Sequence, residues 1–166
     1  MPGIPREFAE HCLQIFPNAK PVKQSLCRFS VPKHKAIGEE VNRLLDAKFI
    51  RETKKATWVA NPVLVPKKDT PILRMCVDYS PLNKHGPKDH FPLPRIDQIV
   101  DSTEGCDLLS FLDAYSGYNQ IRMKVEDEEH TAFIMPYGVF CYTTMPFGLK
   151  NAGATYQRMM QACLKN

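Results

Sequence analysis

The chain has 166 residues, of which 43% are hydrophobic and 24% are charged, and this composition excludes a disordered tail and a fibre. The length provides room for one domain of ordinary size. The net charge is +4, and 17 of the 22 basic residues lie in the first 100 positions, which is compatible with a polyanionic partner.

The cellular compartment is predicted from two absences in the sequence. No apolar run approaches the roughly 18 residues of a membrane span, and the first residues, MPGIPREFAEH, contain no apolar segment typical of a secretory signal. We therefore expect an intracellular location, cytoplasmic or nuclear, and no membrane partner. The six cysteines lack CxxC spacing, so they indicate no zinc site and predict unpaired, mostly buried thiols.

The first elements are an irregular arm and a helix. Five prolines interrupt residues 1–32, so residues 1–19 are predicted to form an irregular N-terminal arm. The basic segment 20–35 is predicted to be extended. Residues 34–49 have helical spacing, with an apolar stripe formed by Ile37, Val41, Leu44, Leu45 and Phe49.

A β-hairpin with a basic tip is predicted next. The runs WVANPVLV (58–65) and ILRMCVDY (72–79) are strand-like, and PKKDTP between them has turn chemistry. This geometry places Lys67 and Lys68 near the tip and Arg74 on the second strand. Two cations at that spacing suit a triphosphate, although a solvated hairpin tip would have the same residues.

A loop over 80–95 and a short helix beginning at Pro94 precede a predicted apolar strand, LLSFLD, over 108–113. The strand ends on Asp113, and the segment 115–121 is predicted to turn into a helix. A carboxylate at the end of a buried strand can hold a metal ion. It can equally cap the following helix, and the local pattern leaves both interpretations open.

A second hairpin and a C-terminal helix complete the pattern. Residues 131–135 and 139–144 flank the turn Pro136-Tyr137-Gly138. Asn151 is a candidate N-cap for a helix whose apolar stripe contains Ala152, Tyr156, Met159 and Cys163. The preceding run MPFGLKNAG allows a flat ligand to approach closely, or is simply a tight turn.

In this order and spacing, five motifs resemble the reverse transcriptase of gypsy-type LTR retrotransposons, and more closely the plant branch of that group. They are NAKPVKQ, EEVNRLLDAKFIRE, LRMCVDYSPLNK, KDHFPLPRIDQIVDSTEGCDLLSFLDAYSGYNQI and MPFGLKNAGATYQRMM. The resemblance implies an α+β right-hand polymerase fold with an antiparallel sheet and packed helices. The reverse transcriptase domain would cover 20–166, with fingers over about 20–90 and 120–150, a partial palm over about 91–119 and 151–166, and no thumb.

The resemblance also implies a metal site and a reaction. Asp113 falls on the first catalytic aspartate of the palm, a ligand to both Mg²⁺ ions, and the carbonyl of Ala114 would be a further metal ligand. The reaction is template-directed transfer of deoxynucleotides to a DNA primer. The implied partners are an RNA or DNA template with its DNA primer, deoxynucleoside triphosphates, and the remainder of a polyprotein.

The implied nucleotide site draws on both hairpins and the Asp113 turn. Lys67 and Arg74 fall on the cations of the fingers that hold the triphosphate. The backbone amides of Ser116 and Gly117 would face the same phosphates. Tyr118 lies at the steric-gate position, where its ring would clash with a ribose 2′-hydroxyl, and Phe147 falls where the family packs against the sugar.

One departure from the family pattern limits the expected activity. The other two catalytic carboxylates of the family lie in a Tyr-x-Asp-Asp turn, and the 166 residues contain no Asp-Asp pair. We therefore expect a fragment or degenerate copy that does not polymerise by itself. The alternatives are a non-catalytic nucleic-acid-binding remnant of the same element, which would use the basic N-terminal part, and a relic without function.

Overall fold

The computed structural model describes residues 3–66, 73–111 and 113–164. It is a mixed α/β fold with antiparallel sheets and several helices. In chain order, these are β1 (Glu10–His11), α1 (Val31–Asp46), β2 (Ile50–Glu52), β3 (Pro62–Pro66), β4 (Leu73–Val77), α2 (Ser80–Asn83), α3 (Ile96–Asp101), a 3₁₀ turn (Gly117–Gln120), β5 (Arg122–Met123), a 3₁₀ helix (Val125–Thr131), β6 (Phe133–Met135), β7 (Gly138–Tyr142) and α4 (Ala152–Leu164).

The two predicted hairpins are confirmed. β3 and β4 pair antiparallel, with Val63 opposite Cys76, while β6 and β7 pair around the turn that precedes Gly138. β2 adds to the free edge of β7, which gives the three-stranded order β2-β7-β6. The tip of the first hairpin, with Lys67 and Lys68, lies outside the described residues.

Helix α1 begins three residues before its predicted start and ends at Asp46 instead of residue 49. Pro32 fits its first turn, where a missing N–H costs nothing. Lys48 has a φ of 58°, and this left-handed conformation turns the chain into β2. The buried side chains of the helix are the predicted apolar positions Ile37, Val41 and Leu44.

The predicted strand over 108–113 is wrong. Residues 108–111 have neither helix nor strand conformation, and the side chains of Leu108 and Phe111 are 91% and 89% exposed. A strand is stable only when its backbone groups find partners. No strand in the described ranges pairs with this run, so its apolar pattern has no sheet to join. The predicted helix over 115–121 is also shorter, a single 3₁₀ turn over Gly117–Gln120.

Residues 3–16 are folded onto the rest of the chain. Most of this segment is irregular, but β1 pairs in parallel with β5, and His11 is only 1% exposed. The Leu13 N–H donates to a carboxylate oxygen of Asp127 at 2.8 Å, and the Phe16 N–H donates to the His85 carbonyl at 2.8 Å. This segment therefore contacts the second half of the chain along its length.

The cysteines are unpaired, as predicted, but mostly not buried. Only Cys141 is buried, and the other five thiols lie in exposed residues. Across the three described ranges, no helix has the length and apolar character needed to cross a membrane.

Candidate functional site

The turn that carries Asp113 is held by its own backbone. Ser116 has φ 48° and ψ 44°, a left-handed conformation that reverses the chain. The Gly117 N–H donates to the Ala114 carbonyl at 3.2 Å, and the Gln120 side chain donates to the Tyr115 carbonyl at 2.8 Å. The family resemblance assigns the Gly117 amide to phosphate binding and the Ala114 carbonyl to metal binding. In this structure the two groups are bonded to each other instead. A phosphate that takes the Gly117 N–H must open this bond.

Tyr118 is the centre of an aromatic cluster, which we define as Tyr118, Phe147 and Tyr156. The Tyr118 ring is stacked on Phe147, with centroids 4.7 Å apart, and packs at a tilt on Tyr156 at 5.3 Å. Tyr118 is half-buried, whereas Phe147 is 62% exposed. The cluster thus presents a rigid aromatic surface beside the Asp113 turn. Sequence reasoning placed Tyr118 and Phe147 in one site but assigned Tyr156 only to the apolar stripe of α4.

Gly117 is required by the close approach of Tyr156. A Cβ atom at position 117 would lie 2.8 Å from Cε2 and 3.0 Å from the hydroxyl oxygen of Tyr156. Real Cβ atoms essentially never lie as close as 2.8 Å to another atom, and 3.0 Å is tighter than nine in ten of their contacts, so the turn or the Tyr156 ring would have to shift. The glycine therefore lets the turn lie directly against α4.

We expect Gly117→Ala to destabilise the fold by about 1–3 kcal/mol, because the added methyl group overpacks this contact. Urea unfolding followed by circular dichroism would measure the change. Gly38→Ala in α1 is the control, since a Cβ at position 38 would meet only the Tyr137 hydroxyl, at an ordinary 3.9 Å, and should not destabilise the fold. If Gly117→Ala were as stable as the natural chain, the contact would not be tight.

The turn that presents Phe147 is fastened by Asn83. The Asn83 side chain donates to the Gly148 carbonyl at 2.7 Å and accepts the Lys150 N–H at 2.9 Å. Gly148 has a φ of 95°, which a glycine adopts without strain. The ammonium group of Lys150 returns to the Gly86 carbonyl at 2.9 Å. Sequence reasoning missed Asn83, and an asparagine between a short helix and a turn is the only signal it offers.

Asn151 lies in the predicted N-cap position, directly before α4, where its carbonyl accepts the Thr155 N–H at 3.1 Å, but its side chain bonds to the preceding segment. Its side-chain oxygen accepts the Asp89 N–H at 3.0 Å, and its side-chain nitrogen donates to the Pro87 carbonyl at 3.0 Å. Asp89 in turn binds Arg158 of α4 at 2.8 Å, and this guanidinium, with the Phe91 N–H, lowers the pKa of the Asp89 carboxyl. These contacts hold the proline-rich segment before α3 against the start of α4.

Arg74 is exposed on β4, opposite Val65. Its predicted partner in phosphate binding, Lys67, lies outside the described residues. Within the described ranges, no hydrogen bond or ion pair joins Arg74 to the Asp113 turn. The structure thus brings together Gly117, Tyr118 and Phe147, and leaves the contribution of Arg74 to the nucleotide site as a prediction.

Asp78, just after β4, is held by polar contacts at the base of the hairpin. One carboxylate oxygen accepts the Ser80 N–H at 3.0 Å, and the other accepts the Gln24 side-chain amide at 3.3 Å. Hydrogen bonding from Ser80 lowers the pKa of this carboxyl. Gln24 also accepts the Asn61 N–H at 2.7 Å, so the basic segment is tied to the hairpin.

The described residues do not make a two-metal site. Asp113 is exposed, and in the part of the chain that the structure describes, no three His, Cys, Asp or Glu side chains are grouped so that they could hold a metal ion. Asp113 offers one carboxylate and Ala114 one neutral carbonyl. Magnesium prefers a nearly complete octahedron of oxygen ligands, so this set by itself binds the ion weakly.

Comparisons with known proteins agree with the resemblance seen in the motifs. The family model described as "Reverse transcriptase (RNA-dependent DNA polymerase)" matches residues 65–166. Among curated relatives, the Transposon Tf2-3, Tf2-4 and Tf2-7 polyproteins of Schizosaccharomyces pombe are each 41% identical over 133 residues. The match covers 80% of this chain and 10% of each polyprotein, so the chain spans about a tenth of the length of these relatives.

Proposed function

The chain belongs to the reverse transcriptase family, and on this premise we propose that it is a reverse transcriptase domain of a retrotransposon polyprotein. Its relatives are transposon polyproteins that are 41% identical over 133 residues. We further propose the gypsy-type group and its plant-like branch, on the motifs quoted above. The proposed template is RNA or DNA with a DNA primer, and the proposed substrates are deoxynucleoside triphosphates.

We propose that the two hairpins belong to a fingers lobe and the Asp113 turn and α4 to the palm. The fingers would cover about 20–90 and 120–150, and the palm about 91–119 and 151–166. In the family reaction, the primer 3′ oxygen forms a bond to the α-phosphorus while the bond to pyrophosphate breaks. Two divalent ions, Mg²⁺ in this proposal, supply charge neutralisation in such reactions. Asp113 and the Ala114 carbonyl would contribute to holding them.

The aromatic cluster is the observation that carries this proposal. The substrate of a DNA polymerase differs from a ribonucleotide by one hydroxyl, so selection requires a surface that fits closely at the sugar. Tyr118 packs on two aromatic rings, Phe147 at 4.7 Å and Tyr156 at 5.3 Å, and these contacts restrict its movement. A fixed ring can reject the 2′-hydroxyl by steric clash, whereas a mobile ring would yield.

The proposal predicts that the chain binds dATP more tightly than ATP, by roughly 10- to 100-fold, the range expected for one hydroxyl group. We expect Tyr118→Val to bring this ratio close to one, because the clash is removed while the triphosphate contacts stay. Titration of both nucleotides followed by NMR chemical shifts would measure the two affinities.

Tyr137→Val is the matched control, since Tyr137 is an exposed tyrosine at the turn between β6 and β7. The ratio of its affinities for dATP and ATP should equal that of the natural chain. Equal affinities for the two nucleotides in the natural chain would contradict the proposed site. A ratio that persists in Tyr118→Val would assign the selection to another residue.

A further inference from the structure

We propose that His11 is a positioning residue for the aromatic cluster, although it touches none of the three rings. It lies in the N-terminal strap, which we define as residues 3–16. The family model begins at residue 65 and therefore assigns no role to this segment. An effect of His11 on sugar selection rests on the proposed nucleotide site. Its effect on the position of the cluster does not.

One side of the strap is bonded to the chain that follows Tyr118. The Ile4 N–H donates to the Gln120 carbonyl at 2.9 Å, and the Arg6 guanidinium donates to the Met123 carbonyl at 2.7 Å. The Lys124 N–H donates to the His11 carbonyl at 2.8 Å, beside the parallel pairing of β1 and β5. These contacts fix the strap to the end of the Tyr118 turn.

The other side of the strap is bonded to α4 through His11. Its Nδ1 atom lies 2.8 Å from the hydroxyl oxygen of Thr155, the residue that precedes Tyr156. His11 is almost fully buried and Thr155 is half-buried, so the His11 end of the bond lies away from water. The hydrogen bond therefore links the strap to the helix that supplies the third ring of the cluster.

Together, these contacts make the strap a bridge between two elements whose separation sets the position of Tyr118. Tyr156 on α4 approaches Gly117 so closely that a Cβ there would lie 2.8 Å from its ring. A small shift of α4 away from the turn would open this contact and release one side of Tyr118. Misplacement by about 1 Å can change rates by up to 100-fold in enzymes, so the anchoring of α4 bears directly on sugar selection.

The test compares His11→Leu with His11→Asn in the full 166-residue chain. Leucine removes the hydrogen-bonding group, whereas the asparagine amide can place a nitrogen near the position of Nδ1. The readout is the NMR signal of the Gly117 amide and of the Tyr118 ring, without nucleotide. We expect both signals to move in His11→Leu and to return toward their natural positions in His11→Asn. A general loss of packing would not produce this selective rescue.

A second variant guards against loss of folding. If His11→Leu does not melt cooperatively, Thr155→Val removes the same bond with little change in volume, and Thr155→Ser, which keeps the hydroxyl, is its rescue. A cooperatively folded His11→Leu or Thr155→Val chain with unchanged Gly117 and Tyr118 signals would overturn the inference. So would signals that move equally in the rescue variant.

Titration of the same variants with dATP and ATP separates this inference from the proposed function. If the natural chain prefers dATP, the dATP-to-ATP ratio should fall roughly tenfold in His11→Leu and recover in His11→Asn. If the natural chain shows no preference, the proposed sugar selection fails, while the NMR comparison still decides whether His11 positions the cluster. An unchanged preference in His11→Leu with displaced signals would overturn the functional part alone.

Discussion

The 166-residue chain is expected to extend no DNA primer on an RNA template, even with magnesium and all four deoxynucleoside triphosphates. Two-metal phosphoryl transfer needs several negative ligands to offset two dications. Asp113 is one exposed carboxylate, and the described residues contain no group of three metal-binding side chains. The sequence also contains no Asp-Asp pair. Extension of a labelled primer, resolved on a gel, is the measurement.

Asp113→Asn is the test variant in this experiment, and Asp107→Asn is its control. Asp107 is a nearby exposed carboxylate to which the family resemblance assigns no role. Primer extension by the natural chain that is lost in Asp113→Asn and kept in Asp107→Asn would show that one carboxylate suffices, contrary to our expectation. Equal extension by all three would point to a contaminating polymerase.

The free energy of unfolding is expected to fall by about 3 kcal/mol between pH 6.5 and pH 4 on account of His11 alone. Burial lowers the pKa of His11 from 6.5 to about 4, and the nearby Asp127 carboxylate opposes the shift only in part. Within this window, the unfolded chain binds a proton that the folded chain excludes, so acid favours unfolding. Well above pH 6.5 the histidine is neutral in both states, and its effect vanishes.

Urea unfolding at several pH values would measure this pH dependence of stability in the natural chain and in His11→Gln. Carboxylates titrate in the same range, so the difference between the natural chain and His11→Gln isolates the histidine. A His11→Gln chain that loses stability in acid as steeply as the natural chain would contradict the prediction.

Local patterns predicted the elements whose formation depends on local interactions. The stripe of Ile37, Val41 and Leu44 indicated α1, and turn residues between apolar runs indicated both hairpins. Helix ends were less predictable, because a left-handed residue such as Lys48 carries no sequence signal that glycine or asparagine would provide. The pattern therefore gave the type of these elements better than their bounds.

The strand prediction over 108–113 shows the limit of this reasoning. Apolar side chains and a terminal carboxylate describe a segment that can be a strand, but pairing decides whether it becomes one. Leu108 and Phe111 are almost fully exposed, so the run is unpaired in the described fold. Pairing is a long-range property, and the residues of the run contain no information about it.

Only some residues of the candidate site were predicted, because long-range contacts place the others. The motifs identified Tyr118 and Phe147, which the structure stacks at 4.7 Å, because both lie in family motifs. Tyr156 and Asn83 act through contacts with residues 39 and 65 positions away, respectively, along the chain. Such contacts depend on how α4 and α2 pack, so no local pattern could assign these two residues to the candidate site.

The parallel pairing of β1 with β5 has a consequence for the order in which the chain folds. Glu10 aligns with Arg122, and His11 bonds to Thr155, so the strap is synthesised long before its partners. At about 5–20 residues per second, a ribosome needs several seconds to produce them. Until then, the strap carries apolar side chains and an unpaired strand edge, which chaperones recognise and proteases cleave. Closing a loop of more than 100 residues is slow, and we infer that docking of the strap is among the last steps in the folding of these 166 residues.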